Sequence, residues 1–295
     1  MMWFKRIGLF IVTNILMVIT ISILLNVLGV RPYITAQGLD YEMLMAFCLV
    51  WGMGGAFISL GLSRIMAKML MRVRIIKPTS ATGTEKEIMD MVYRFAKNAG
   101  ITKMPEVGIY DSPEINAFAT GPTKNRSLVA VSTGLLNRMN REQVEGVIAH
   151  EVAHISNGDM VTMTLVQGIV NAFVMFLARV IAFAVSQNAK EESRPMIRFA
   201  VTIGLEIVIG IFGAMVVAYF SRLREFRADA GGARFAGREK MISALKGLQG
   251  TLGRIDNEQP AFATLKISGK PGGLMALLST HPPLEERIRR LERGM

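Results

Sequence analysis

The chain has 295 residues, 51% of them apolar, and carries a formal net charge of +11 at pH 7. A composition this apolar argues against an ordinary soluble protein. The single cysteine, Cys48, excludes an intrachain disulfide and a zinc cluster built on cysteines. Because the chain has only three histidines, any histidine-based metal chemistry must use His150, His154 or His281.

Four apolar runs come close to the ~20 residues that a helix needs to cross a hydrocarbon layer of ~30 Å. The first run is long and lacks a small-residue cleavage pattern, so we interpret it as a retained anchor and not as a signal peptide. The sequence therefore predicts an integral membrane protein with four apolar helices. The runs span residues 7–30, 43–62, 160–186 and 199–220.

Two of these runs carry a charged residue. Arg179 in the third run and Glu206 in the fourth are each seven positions from the end of their run that adjoins the loop at 187–198. In an antiparallel hairpin the two charges would lie at similar depth and could form an ion pair. The alternatives are a snorkelling Arg179 near the membrane interface and a role for these charges in substrate handling.

Basic residues flanking the first two runs predict the orientation of the chain. Lys5 and Arg6 precede the first run and further basic residues follow the second, whereas Arg31 is the only basic residue in the loop between them. Because positive charge marks the cytoplasmic side, residues 64–159 and the tail from 221 should face the cytoplasm. This charge suits anionic lipid headgroups. The sequence has no basic groove interleaved with aromatic residues, so we expect no nucleic-acid partner.

Between the two predicted hairpins the pattern indicates a small α+β unit. Its last helix should begin at Asn140, because Gln143 three residues later completes a capping box, and should end at the Asn157-Gly158 pair. The other predicted elements are a helix at 85–99, strands at 106–110, 115–120 and 127–132, and tail helices at 238–250 and 284–293.

These patterns divide the chain into four expected parts. Two are transmembrane hairpins, one is a catalytic domain on the cytoplasmic side, and the last is a helical cytoplasmic tail that completes the site. The N-terminal hairpin spans 1–63, the catalytic domain 64–159, the second hairpin 160–220 and the tail 221–295.

The predicted Asn140 helix carries the sequence His150-Glu151-Val152-Ala153-His154. Residues four apart project from one side of a helix, and the residue next to the first is rotated by about 100°. Two imidazoles in this spacing can bind one zinc, while the carboxylate between them can reach a water on the metal. The alternative is two histidines that bind no metal.

A catalytic zinc held by two histidines still needs a third protein ligand. His281 is one candidate and a carboxylate is the other. Glu225 follows the fourth apolar run just as His154 precedes the third, so a hairpin would return the two to the same membrane face. Asp229, one turn later, could accept the second ring N–H of a ligating histidine. The alternative for both acids is ion pairing with arginines of the same helix, namely Arg222, Arg224 or Arg227.

Three segments of the sequence resemble a known family. They are the histidine motif at 150–154, Glu225-Phe226-Arg227-Ala228-Asp229, and a segment at 279–287 that contains His281 and Arg287. Together with the apolar runs, they are similar to the membrane zinc metallopeptidases that include the bacterial heat-shock protease HtpX and the type I CAAX prenyl proteases.

The resemblance implies a zincin-like catalytic domain with a short edge-stranded sheet and an HExxH helix. It implies one Zn2+ per chain held by His150, His154 and Glu225, with Asp229 in contact with a ligand. It also implies that His281 stabilises the oxyanion and that Arg287 orients acidic groups such as Asp229. Beside the cleft it places an edge strand on which an extended substrate adds as a strand. The strand residues are Asn116, Ala117 and Phe118.

The expected function is a zinc endopeptidase of the bacterial cytoplasmic membrane with its active site facing the cytoplasm. Glu151 would be the general base. By resemblance, its substrates would be misfolded membrane proteins or their cytoplasmic segments, in protein quality control and the stress response. Two alternatives remain open: a zinc hydrolase of a non-peptide or prenyl-peptide substrate, and a membrane scaffold with structural zinc.

Overall fold

A computed structural model describes residues 2–36, 38–258 and 277–294 of the chain. Its contacts divide into two compact units, each built from two chain segments. One unit comprises residues 1–59 and 163–217, and the other comprises residues 60–162 and 218–295. The helices are α1 (Met2–Val27), α2 (Tyr41–Leu70), α3 (Gly83–Asn98), α4 (Thr133–Arg138), α5 (Arg141–Asn157), α6 (Asp159–Gln187), α7 (Arg194–Ala236), α8 (Arg238–Glu258) and α9 (Leu284–Glu292).

Among the described residues, three helices are long and apolar enough to cross a membrane. They are α2, α6, and α7 together with the short turn that precedes it, from Glu191 to Ala236. The first helix contributes a shorter apolar stretch at Ile15–Val27. Three of the four predicted spanning helices therefore meet the length and hydropathy requirement, and the fourth stays a prediction.

Close backbone packing and an ion pair hold the apolar unit together. A Cβ on Gly52 of α2 would lie 2.8 Å from the backbone nitrogen of Ala172 and from the backbone oxygen of Gly168, so glycine is required where α2 meets α6. Arg179 Nη1 donates to Glu206 Oε1 at 2.5 Å and to the Met175 carbonyl at 3.1 Å. The predicted ion pair is thus confirmed.

A four-stranded sheet lies in the second unit. Its strands are β3 (Arg74–Ile75), β4 (Glu106–Tyr110), β5 (Ala117–Thr123) and β6 (Arg126–Ser132), and a separate hairpin pairs β1 (Ile34–Thr35) with β2 (Gly38–Leu39). The order of strands in the sheet is β3-β4-β6-β5, with β4 and β6 parallel and the other pairs antiparallel. Among the described residues β5 pairs with β6 alone, which makes it an edge strand.

Helix α5 packs against this sheet and forms as predicted. Asn140 Oδ1 accepts a hydrogen bond from the Gln143 backbone N–H at 2.9 Å, and Gln143 Oε1 accepts one from the Asn140 N–H at 3.2 Å. Gly158 ends the helix in the left-handed region, at φ 73°. Ile148, Val152 and Ile155 are fully buried, so α5 is a core helix. Its side chains are therefore held on a rigid element.

Candidate metal centre

His150 and His154 of α5 bring two ring nitrogens to one point. Their ring centroids are 4.6 Å apart and their Nε2 atoms are 3.1 Å apart. Only 7% of His150 is exposed, because α7 covers it. Gly232 of α7 permits this contact, since a Cβ there would lie 3.2 Å from the His150 backbone nitrogen. Gly231 likewise permits close packing, since a Cβ there would lie 2.7 Å from the Cβ of Ala153.

Glu225 of α7 completes the group. Its carboxylate is 1% exposed, with Oε2 3.5 Å from His150 Nε2 and Oε1 3.4 Å from His154 Nε2. The candidate ligand atoms of the three residues all lie within 4.8 Å of one another. Of the arginines considered as alternative partners, Arg224 approaches Glu225 at 3.8 Å.

The Glu225 carboxylate also provides a test of whether a metal fits. Both oxygens are buried, and neither makes an aligned hydrogen bond among the described residues, although ring nitrogens lie within 3.5 Å. A buried carboxylate without hydrogen bonds is costly unless a cation compensates it. Two imidazoles and one carboxylate are also a donor set found in catalytic zinc sites. The residues therefore fit a zinc ion.

A second carboxylate holds the His150 ring from its other nitrogen. Asp229 Oδ1 lies 3.0 Å from His150 Nδ1. Arg287 of α9 donates to both Asp229 oxygens, from Nε at 2.8 Å and from Nη2 at 2.7 Å, and its Nη1 lies 3.4 Å from Glu225 Oε2. Asp229 and Arg287 are both buried. Asp229 and Arg287 thus lie together beside the His150 ring, and their roles in the site stay a prediction.

Sequence reasoning missed the partner of the other histidine, Asp159. Its Oδ2 lies 2.6 Å from His154 Nδ1, and only 2% of the residue is exposed. The spacing of five residues is not a helical one, so a periodicity search does not find it. The available signal was Gly158, since a left-handed residue turns the chain and directs the next side chain back to the helix.

The protonation of these groups follows from their contacts. Burial lowers the pKa of His154, but the hydrogen bond to Asp159 and the contact with Glu225 outweigh burial and raise it to about 9. The pKa of His150 is raised for the same reason, by Asp229 and Glu225. A metal ion must therefore displace protons from the histidines.

The remaining predicted residues lie around this group. His281 Nδ1 is 3.0 Å from Glu225 Oε2, while 63% of its side chain is exposed. Glu151 is half-buried on α5, and its charge contributes to the raised pKa of Tyr110 and of His154. Strand β5 lies beside α5.

Asn116, Ala117 and Phe118 mark the start of the edge strand. Ala117 pairs with Val131 and Phe118 with Ala130. The strand was predicted from residue 115 but begins at Ala117, because the Asn116 N–H donates to the side-chain hydroxyl of Ser132 at 3.1 Å and not to a backbone carbonyl of β6.

Comparisons with known proteins agree with this geometry. A model of Peptidase family M48 matches residues 83–294. The chain is 55% identical to the Protease HtpX homolog of Bacillus subtilis and 54% identical to that of Bacillus licheniformis, over 98% of this chain and 99% of each relative. It is 50% identical to Protease HtpX of Thioalkalivibrio sulfidiphilus, over 98% of both chains.

A solved structure of another protein shares the fold. The crystal structure of S. mikatae Ste24p matches with a TM-score of 0.66 and 16% identity, over 98% of this chain and 65% of that chain. At this identity the match shows the fold alone. The sequence relatives and the family model confirm the resemblance predicted from the three motifs, and the chain belongs to peptidase family M48.

Proposed function

We propose that the chain is a zinc endopeptidase that holds one zinc through His150, His154 and Glu225. The observation that carries the proposal is the convergence of two histidine nitrogens on a buried carboxylate that has no hydrogen bond among the described residues. Zinc bound there supplies a Lewis acid that polarises a peptide carbonyl and acidifies a water.

Glu151 and His281 are the proposed catalytic side chains. Glu151 lies next to His150 on α5 and is half-buried, and in this proposal it takes a proton from water and delivers it to the leaving amine. His281 has an exposed imidazole close to Glu225, and in this role it donates a hydrogen bond to the developing oxyanion. Asp229 orients the His150 ring and Asp159 orients the His154 ring, each through the Nδ1 atom, while Arg287 holds Asp229.

The edge of β5, which has no partner strand among the described residues, supports a polypeptide substrate. An extended chain can add to such an edge through backbone hydrogen bonds, which give affinity without demanding a particular sequence. Ala117 and Phe118 begin this strand, Asn116 directly precedes it, and α5 with the histidines lies beside it. This mode of binding suits cleavage within a chain.

The apolar helices and the basic flanks of the first two runs support a site at the cytoplasmic face of a bacterial inner membrane. An enzyme in this location meets membrane proteins and their cytoplasmic segments. Misfolded membrane proteins are the substrate class that we propose, within quality control and the stress response. The relatives named Protease HtpX agree with proteolysis.

The decisive experiment replaces Glu151 with Gln in the purified full-length protein. Because Glu151 is no ligand in this scheme, E151Q should keep its zinc and lose cleavage of casein, while the wild-type activity should be abolished by a chelator. Glu142→Gln, an exposed glutamate of the same helix, is the matched control and should keep full activity. Cleavage retained by zinc-loaded E151Q overturns the proposal.

A hydroxamate separates the two remaining alternatives. Binding of a hydroxamate without any peptide cleavage would assign the site to a non-peptide substrate. Failure to bind it would indicate a closed structural zinc site, which has no open coordination position.

A further inference from the structure

Arg222 lies on the same face of α7 as the two acidic site residues. The spacing Arg222, Glu225, Asp229 is three and then four residues, so the side chains follow one stripe of the helix. Glu225 and Asp229 contact the histidines of α5. Arg222 is half-buried and occupies the N-terminal end of the stripe.

The Arg222 guanidinium binds the chain segment that carries His281. Its Nη1 donates to the Ser279 carbonyl at 2.7 Å and to the Leu277 carbonyl at 3.1 Å. The Ser279 hydroxyl in turn donates to the His281 carbonyl at 2.8 Å. Hydrogen bonds from a charged donor are about twice as strong as neutral ones. Arg222 therefore fixes the backbone directly before His281.

Contacts between this segment and α7 follow the same order along the segment and along the helix. Residues 277 and 279 contact Arg222, His281 contacts Glu225, and Arg287 contacts Asp229. His281 thus lies between two arginine contacts, one at each end of the segment.

Little packing can hold the His281 ring itself, because 63% of its side chain is exposed. Pro282 and Pro283 follow it and restrict the backbone toward α9, since proline fixes φ. Besides the ring's own contact with Glu225, its position therefore depends on the backbone contacts on either side. On the N-terminal side these are the two carbonyls held by Arg222.

We propose that Arg222 is a positioning residue that holds His281 in place for the reaction. The inference rests on the proposed function, in which His281 contacts the substrate. One nitrogen of Arg222 donates to both carbonyls, so a lysine ammonium, with three donors, can make the same contacts. A methionine of similar length cannot make either.

The test compares zinc-loaded full-length R222M and R222K with the wild type on a casein substrate. R222M should lower kcat about tenfold or more, with KM and zinc content close to wild type, because His281 acts in the transition state. R222K should recover most of kcat. Arg227→Met, at an exposed arginine of the same helix, is the matched control and should leave kcat unchanged.

A double-mutant cycle distinguishes positioning from a general structural role. In the His281→Ala background, R222M should cost almost nothing further, because the group that it positions is gone. Equal fold losses in both backgrounds, or a wild-type kcat in R222M, overturn the proposal.

Hydrogen exchange of residues 277–287 gives a readout without catalysis. Exchange should become at least about tenfold faster in R222M, because both hydrogen bonds from the charged donor are lost, and stay unchanged in R222K and R227M. If the wild type cleaves nothing, the proposed function fails while this measurement still decides whether Arg222 holds the segment. Unchanged exchange in R222M refutes the structural step of the inference.

Discussion

The two histidines of α5 are one turn apart, yet their rings are held in different ways. His154 takes its partner, Asp159, from five residues along the chain, across the turn at Gly158. His150 takes Asp229 from α7, and Asp229 is itself held by Arg287 from α9. One half of the site is therefore local, and the other forms only when three helices have packed together.

Glu225 joins the two halves, and removing it should have the largest effect on the metal. We expect Glu225→Ala to lose its zinc although both histidines remain, because two imidazoles leave a catalytic zinc one protein ligand short. Metal analysis after gel filtration measures this. Glu239→Ala, an exposed glutamate of α8, should keep its zinc. A full zinc content in E225A would show that another residue is the third ligand.

Replacing Asp159 or Asp229 tests the contrast between the local half of the site, around His154, and the half around His150 that three helices form together. Asp159→Asn and Asp229→Asn should each weaken zinc binding by about 10–100-fold, the usual effect of losing a residue that orients a ligand. Only Asp229→Asn also removes the carboxylate that accepts two hydrogen bonds from the buried Arg287, which then keeps only its 3.4 Å contact with Glu225 among the described carboxylates, so it should lower the free energy of unfolding by about 3 kcal/mol. Competition titration and chemical denaturation measure the two effects. Equal stability losses in both variants would contradict the contrast.

The raised pKa of His154 makes the local half sensitive to pH. In chelator-treated protein the ring gains its proton at a pKa of about 9, against 6.5 in the unfolded chain. This contribution to stability is full below pH 6.5 and is lost as the pH rises through 9. Zinc must expel the same proton, so its apparent affinity should rise up to about tenfold per pH unit between these values.

A series of zinc titrations from pH 6 to pH 9 measures this dependence. In Asp159→Asn the steep part of the curve should move to lower pH, because the hydrogen bond that raises the His154 pKa is lost. An affinity that does not change with pH in the wild type would rule out a protonated His154.

The features of the site that are local in sequence are also the ones that the sequence predicted best. The α5 cap at Asn140, the end at Gly158 and the one-turn spacing of the histidines are local features, and the structure contains them. Glu225 was inferred from the order of the apolar runs and from resemblance. The glycines at 231 and 232, which let α7 approach α5, have no periodicity that reveals them. Arg222 was considered as an ion-pair partner of Glu225, but it binds carbonyls of a segment remote in sequence.

The smallest expected effect concerns Gly158, which turns the chain so that Asp159 reaches His154. A Cβ there would meet only the end of the Lys124 side chain, at 3.7 Å, so the cost of Gly158→Ala is the left-handed backbone itself, about 1 kcal/mol. Gly100 ends α3 at φ 70° with nothing within 4 Å of its Cβ position, and Gly100→Ala should lose a similar amount.

These two alanine variants isolate the role of the turn in metal binding. Thermal denaturation should shift equally in both. Zinc affinity should fall in Gly158→Ala alone, because only there does relaxation of the strained turn move a carboxylate away from a ligand. If both variants lost stability and neither lost zinc affinity, Asp159 would reach His154 whatever the conformation of residue 158. The local half of the site would then depend less on the turn at Gly158 than the structure indicates.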